Sequence, residues 1–117
     1  MEPLYTRHCE PCRMGTPVIK DGEANELLLK VPAWRREFHD GVEKLIREFY
    51  FVEFKDAFDF TYKLASLAER ESHHPGLLTE WGKVTVYWWT HKINGLHLND
   101  FIMAAKTDML AKASRKP

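Results

Sequence analysis

The sequence carries no charge bias, since its 17 basic and 17 acidic residues cancel over 117 positions. A nucleic-acid-binding or anionic-membrane surface would show as a basic excess, so neither kind of partner is expected. Cysteine is scarce. Two residues, Cys9 and Cys12, are too few for a disulfide framework and point to a reducing, cytoplasmic compartment. No apolar run reaches the roughly eighteen residues that a membrane-spanning helix needs. The N-terminus also lacks the apolar stretch of a secretory signal. Three of the six prolines (Pro3, Pro11, Pro17) fall with Gly15 in the first part of the chain, where they break any periodicity. Residues 1–20 are therefore expected to form a flexible N-terminal arm, followed by one domain over 21–117.

Within that domain the apolar content, 44% overall, is enough for a packed core. A short helix is expected over 23–30, ended by Pro32. Two strands over 33–38 and 42–51 flank Asp40-Gly41, a pair suited to a tight hairpin turn with positive φ. The clearest helix runs over 54–72. Phe54, Ala57, Phe58, Tyr62, Ala65 and Ala68 share one face, and Phe60, Leu64 and Leu67 share a second beside it. This arc is far wider than the roughly 100° stripe of a surface helix. One face is expected to cover the chain's own sheet and the other a partner subunit. Two further strands over 77–81 and 84–90 surround Gly82-Lys83, and a last helix covers 98–113 with Leu98, Phe101, Ala105 and Met109 on one stripe. The order α-β-β-α-β-β-α gives an α+β fold, a four-stranded antiparallel sheet with helices packed on one face.

Three of the six histidines are the residues that suggest chemistry, because imidazole exchanges protons near neutral pH. If the second hairpin turns between Gly82 and Lys83, His91 lies opposite His74, about 5 Å away between Cα atoms. A slip of one or two residues would change the partner and keep the cluster. Glu69 lies one helical turn before His73, where a carboxylate among apolar residues needs a partner. Asp100 begins the last helix and is available to orient an imidazole. Taken singly, each residue has an ordinary structural explanation; for Asp100 it is the attraction of an acid to a helix N-terminus.

The spacing Glu69, three residues, His73-His74-Pro75, five residues, Trp81, nine residues, His91, eight residues, Asp100 resembles the signature of the pterin-4a-carbinolamine dehydratases. Trp34, Phe54-Lys55-Asp56-Ala57, Ala68-Glu69, Lys83-Val84, Thr90-His91 and Gly95-Leu96 extend the likeness over about residues 26–109. The resemblance implies a dehydratase that removes water from 4a-hydroxytetrahydropterin to give quinonoid dihydropterin, the recycling step of aromatic amino acid hydroxylation. It also implies a homodimer or homotetramer and neither a metal nor an organic cofactor. By the same likeness His73, His74 and His91 carry catalysis, while Glu69, Pro75, Trp81 and Asp100 bind substrate or shape its pocket. The alternative of the same fold is a non-enzymatic pterin-binding or protein-dimerisation module, since a fold alone does not fix function. A metal-dependent hydrolase is disfavoured, because adjacent histidines on extended backbone point to opposite faces. Two features depart from the pattern. His97 stands at the N-cap of the last helix, where it is expected to cap poorly. His8-Cys9-x-x-Cys12 lies outside the signature, and two thiols fall short of the four ligands of structural zinc.

Overall fold

The computed structural model describes residues 3–114. Helix α1 (Asp21–Leu28) leads into β1 (Arg35–His39) and β2 (Val42–Tyr50). Then come α2 (Phe54–Glu71), β3 (Gly76–Glu80), β4 (Lys83–Trp88) and α3 (Leu98–Ser114), with single 3₁₀ turns at Leu4–Thr6 and His91–Ile93. The strands form one antiparallel sheet in the order β1-β2-β4-β3. This is the α+β architecture that the periodicities predict.

Leu45, Phe49, Val84, Val86 and Trp88 alternate along β2 and β4 and share one face of the sheet. They meet Phe60 and Leu64 of α2 and Phe101 and Ile102 of α3 in the core. Helix α2 packs on β3 and β4, and α3 on β2 and β4. Burial on α3 exceeds the expected stripe: Asn99 to Ala105 are all buried, and Met109, assigned to the stripe, is exposed. On α2 the wide arc divides. Ala57, Phe60, Leu64 and Ala68 enter the core, whereas Phe54, Phe58 and Tyr62 remain half or more exposed at 50%, 54% and 67%.

The Asp40-Gly41 turn has φ of 55° and 78° at its two central residues, the type I′ geometry whose twist matches the strands it joins. The second hairpin differs from its expected register. Gly76 pairs with Tyr87 and Glu80 with Lys83, so the turn residues are Trp81 and Gly82, and the pairing is displaced by two positions. A shift of two keeps every side chain on its expected face, because the pleat repeats every two residues.

The segment before α1, expected as a flexible arm, lies against the domain. Leu4 is buried in the core, Ile19 N–H donates to the Leu96 carbonyl at 2.9 Å, and Lys106 Nζ donates to the Tyr5 carbonyl at 3.1 Å. Its prolines leave no α-helix or strand there, only the 3₁₀ turn at Leu4–Thr6, but irregular backbone docks well when its polar groups find hydrogen-bond partners. Among the described residues no helix is long and apolar enough to cross a membrane.

Open space surrounds Gly41, so a β-carbon there meets only the strain of its left-handed backbone. Gly41→Ala is expected to destabilise the fold by about 1–2 kcal/mol, read as a lower urea midpoint. Gly22→Ala, in equally open space on helical backbone, should be neutral or slightly stabilising. Equal losses in the two variants would contradict the I′ turn.

Candidate active site

The site begins where α2 stops. Ser72 takes the left-handed conformation (φ 53°, ψ 37°), its N–H bonds the Glu69 carbonyl, and His73 N–H reaches back to the Ala68 carbonyl at 3.1 Å. This double closure is a Schellman motif, and it folds the residue after Ser72 back against the helix it has just left. His73 is thereby carried inward, to 7% exposure. Pro75 disfavours helical backbone at His74, which starts the extended run into β3.

Buried His73 needs a partner, and Asp100 supplies it. His73 Nε2 donates to Asp100 Oδ1 at 2.7 Å, and its ring stacks on that of Trp88 with centroids 5.7 Å apart and 15° between planes. Asp100 is itself fully buried. Its second oxygen accepts Thr90 Oγ1–H at 2.8 Å and His97 N–H at 2.9 Å. His97 Nδ1 in turn accepts Asn99 N–H at 3.1 Å. His97 and Asp100 thus form a reciprocal capping box at the start of α3. This corrects the expectation that His97 caps poorly: its acceptor is a ring nitrogen in place of a hydroxyl.

His74 and His91 are exposed. His74 Nε2 donates to Glu69 Oε2 at 2.5 Å. His91 lies beyond β4, in a loop pinched shut by the Thr90–Gly95 bridge and turned by Asn94 in the left-handed region. Its Nε2 donates to the His74 carbonyl at 3.0 Å, and its ring packs on Trp89 at 4.2 Å. The displaced hairpin register therefore still brings residues 91 and 74 together, now through the loop after β4. Trp81 was expected to shape the pocket. It sits in the β3–β4 turn, 75% exposed and separated from His74 by the length of β3, because an extended strand rises about 3.3 Å per residue. Pro75 adjoins His74 but contributes no surface to the cavity that the histidines line.

That cavity, about 610 Å³, is lined by His73, His74 and His91, by Arg70, Glu71 and Ser72 at the end of α2, by Lys92 and Asn99, and by residues 8–12. Its size suits a small heterocycle. Each of the three imidazoles uses Nε2 on a protein partner. Among the described residues no buried side-chain nitrogen or oxygen lacks a hydrogen bond, so the unpartnered Nδ1 of His73 reaches open space. Thr90, Trp88, Asn99 and residues 8–12 are the components that the sequence left unassigned. Thr90 adjoins His91 and Asn99 adjoins Asp100, whereas the Cys9-x-x-Cys12 spacing in residues 8–12 points to metal chemistry and not to a place beside the histidines. Among the described residues no three His, Cys, Asp or Glu side chains are grouped to hold a metal ion, His8-Cys9-x-x-Cys12 included.

An α+β sheet with a histidine-lined cavity and carboxylates behind the imidazoles defines a class of site suited to proton transfer on a small ligand. The chain matches the family model described as pterin 4 alpha carbinolamine dehydratase over residues 17–110, and it belongs to that family. It is also similar to a solved structure titled transcriptional coactivator/pterin dehydratase from Brucella melitensis. The two share 34% identity, the match covers 81% of this chain and 99% of the other, and the TM-score is 0.73.

Asp100→Ala would strand the donors of His73, Thr90 and His97 in the interior. A loss of about 3 kcal/mol or more is expected. Thr90→Val, which removes one donor from the same carboxylate, is expected to cost about 1 kcal/mol. Denaturant titration distinguishes the two, and equal losses would mean that Asp100 is not the hub of the network.

Proposed function

We propose that this chain is a pterin-4a-carbinolamine dehydratase working by histidine acid/base catalysis. The observation that carries the reading is the convergence of three imidazoles on one cavity, each held by Nε2 and each leaving Nδ1 without a partner among the described residues. Loss of water breaks the C4a–O bond with its electron pair going to oxygen. The departing hydroxide takes a proton, and a ring nitrogen gives one up to form the quinonoid C=N bond. One imidazole acting as acid and another as base satisfy both transfers. Asp100 fixes the orientation and tautomer of His73, and Glu69 does the same for His74. The two free thiols, Cys9 and Cys12, suit a cytoplasmic setting.

The test is turnover of synthetic 4a-hydroxytetrahydropterin. The wild-type chain should dehydrate it well above the spontaneous rate, and His73→Ala and His91→Ala should each lower kcat by about 10²-fold or more with the fold retained. A wild-type rate equal to the spontaneous reaction would favour the non-enzymatic module, a reading supported by the similar Brucella melitensis protein being named a transcriptional coactivator as well as a pterin dehydratase. Normal rates in both variants would remove the acid/base assignment.

Self-association belongs to the same reading. Phe54, Phe58 and Tyr62 form one exposed row on α2, spaced by four residues. Such a row is costly in water and typical of an interface. Light scattering at micromolar concentration is expected to give a dimer or tetramer, and Phe58→Glu to shift it toward monomer. A monomeric wild type would overturn this.

A further inference from the structure

Residues 8–12 lie before the family-matched span of 17–110, yet all five line the cavity that holds His73, His74 and His91. Two side chains from the domain hold them there. The Asn99 amide, 1% exposed, grips one residue twice: Glu10 N–H donates to its Oδ1 at 2.9 Å, and its Nδ2 donates to the Glu10 carbonyl at 2.7 Å. Glu71 accepts Cys9 N–H at 2.9 Å on one oxygen and His8 Nδ1–H at 2.9 Å on the other, with Lys106 at 3.9 Å. Burial opposes the charge of Glu71, but the Cys9 N–H, His8 and Lys106 outweigh it and hold the carboxyl below its usual range. Two successive backbone donors are thus satisfied by two side chains whose own desolvation is repaid only when the segment is docked.

The positions of these clamps matter. Asn99 is the neighbour of Asp100, which holds His73, and Glu71 precedes His73 by two residues. The same two helix ends that fix the catalytic imidazole therefore fix the segment. On the dehydratase reading, on which this rests, we infer that residues 8–12 form a substrate-facing wall of the active site that selects among pterin ring substituents, with Asn99 and Glu71 as its positioning residues. Asn99 occupies both backbone polar groups of Glu10, and beside it the wall includes Pro11 and the half-buried Cys12. These suit a small neutral alkyl or hydroxyalkyl group. The wall is an addition to the framework that the family match covers.

The first test uses the wild-type chain with iodoacetamide and a 7,8-dihydropterin. Cys12 should be alkylated, and a saturating dihydropterin should slow the reaction at least about fivefold, as expected for a ligand mostly enclosed by its cavity. Cys9 should stay unlabelled, because burial, Glu71 and Asp100 push its thiol up to about 12 and only the thiolate reacts. The second test opens the clamp from each side. Asn99→Ala removes both bonds to Glu10, and Glu10→Pro deletes the N–H without altering the domain core. Each should weaken dihydropterin binding about tenfold, with the loss in kcat/KM carried mainly by KM. Each should also flatten the preference between methyl and dihydroxypropyl substituents, which a purely structural role would not move. Circular dichroism establishes that the variants are folded, and Glu10→Pro keeps the test open if Asn99→Ala fails to fold. Unchanged affinity and preference in a folded variant, or unprotected Cys12 in the ligand-bound chain, would overturn the inference. Wild-type binding without accelerated dehydration would sink the dehydratase reading and leave the wall supported by labelling and affinity. No binding at all would sink both.

Discussion

A carboxylate with no exposure to water is among the most costly groups a small domain can bury, and Asp100 is such a group. Its burial is tolerated because three donors converge on its two oxygens, each from a different part of the chain. His73 comes from the end of α2, Thr90 from the end of β4, and His97 from the residue that opens α3. The N-terminus of α3 adds the favourable alignment of its own dipole. One side chain thereby ties together the three chain ends that surround the cavity. Two accounts of Asp100, a helix cap or an orienting acid for histidine, therefore describe the same atoms. The capping box requires Asp100 to accept the His97 N–H, and that geometry leaves its other oxygen aimed at His73.

The imidazoles extend this economy. Each uses Nε2 on a protein partner, which fixes the plane of a ring that lines the cavity. Their surroundings differ sharply. His73 is buried against Trp88 with a buried carboxylate behind it; His74 is exposed and paired with a still more exposed Glu69, which is not the carboxylate lodged among apolar residues that its helical position suggests; His91 rests on Trp89 and a backbone carbonyl.

Much of this was legible in the sequence because burial leaves a period. The alternation along β4, the apolar arc of α2 and the Asp40-Gly41 turn are all local signals, and each leads to an element in the right place. The histidine cluster was legible for a related reason, since a hairpin must bring its ends together whatever its register. What escaped was contact made across long sequence separations by groups with no periodic signature. The prolines of the first residues break any α-helical or strand periodicity there, but they say nothing of whether irregular backbone is bound. The clamp between Asn99 and Glu10 spans 89 positions and depends on one amide facing one peptide. Trp81 was misplaced for a simpler reason: it has the right type at the right spacing, and only the length of β3 shows that the spacing leads away from the cavity.

The same distinction separates the parts of the site by what they do. The three imidazoles and the Asp100 carboxylate lie inside the family-matched span, at the ends of α2, β4 and α3, where packing of the core fixes them. The segment 8–12 that lines the same cavity lies outside that span and is held by hydrogen bonds, with Cys9 alone of its residues packed against the core. Rigid placement matters most where bonds break, because sub-ångström error at the reacting atoms is costly. A wall that meets only a substituent tolerates looser holding and can differ without disturbing the chemistry. A domain of this size gains by this division, because its limited core needs to stabilise only the groups that cannot move.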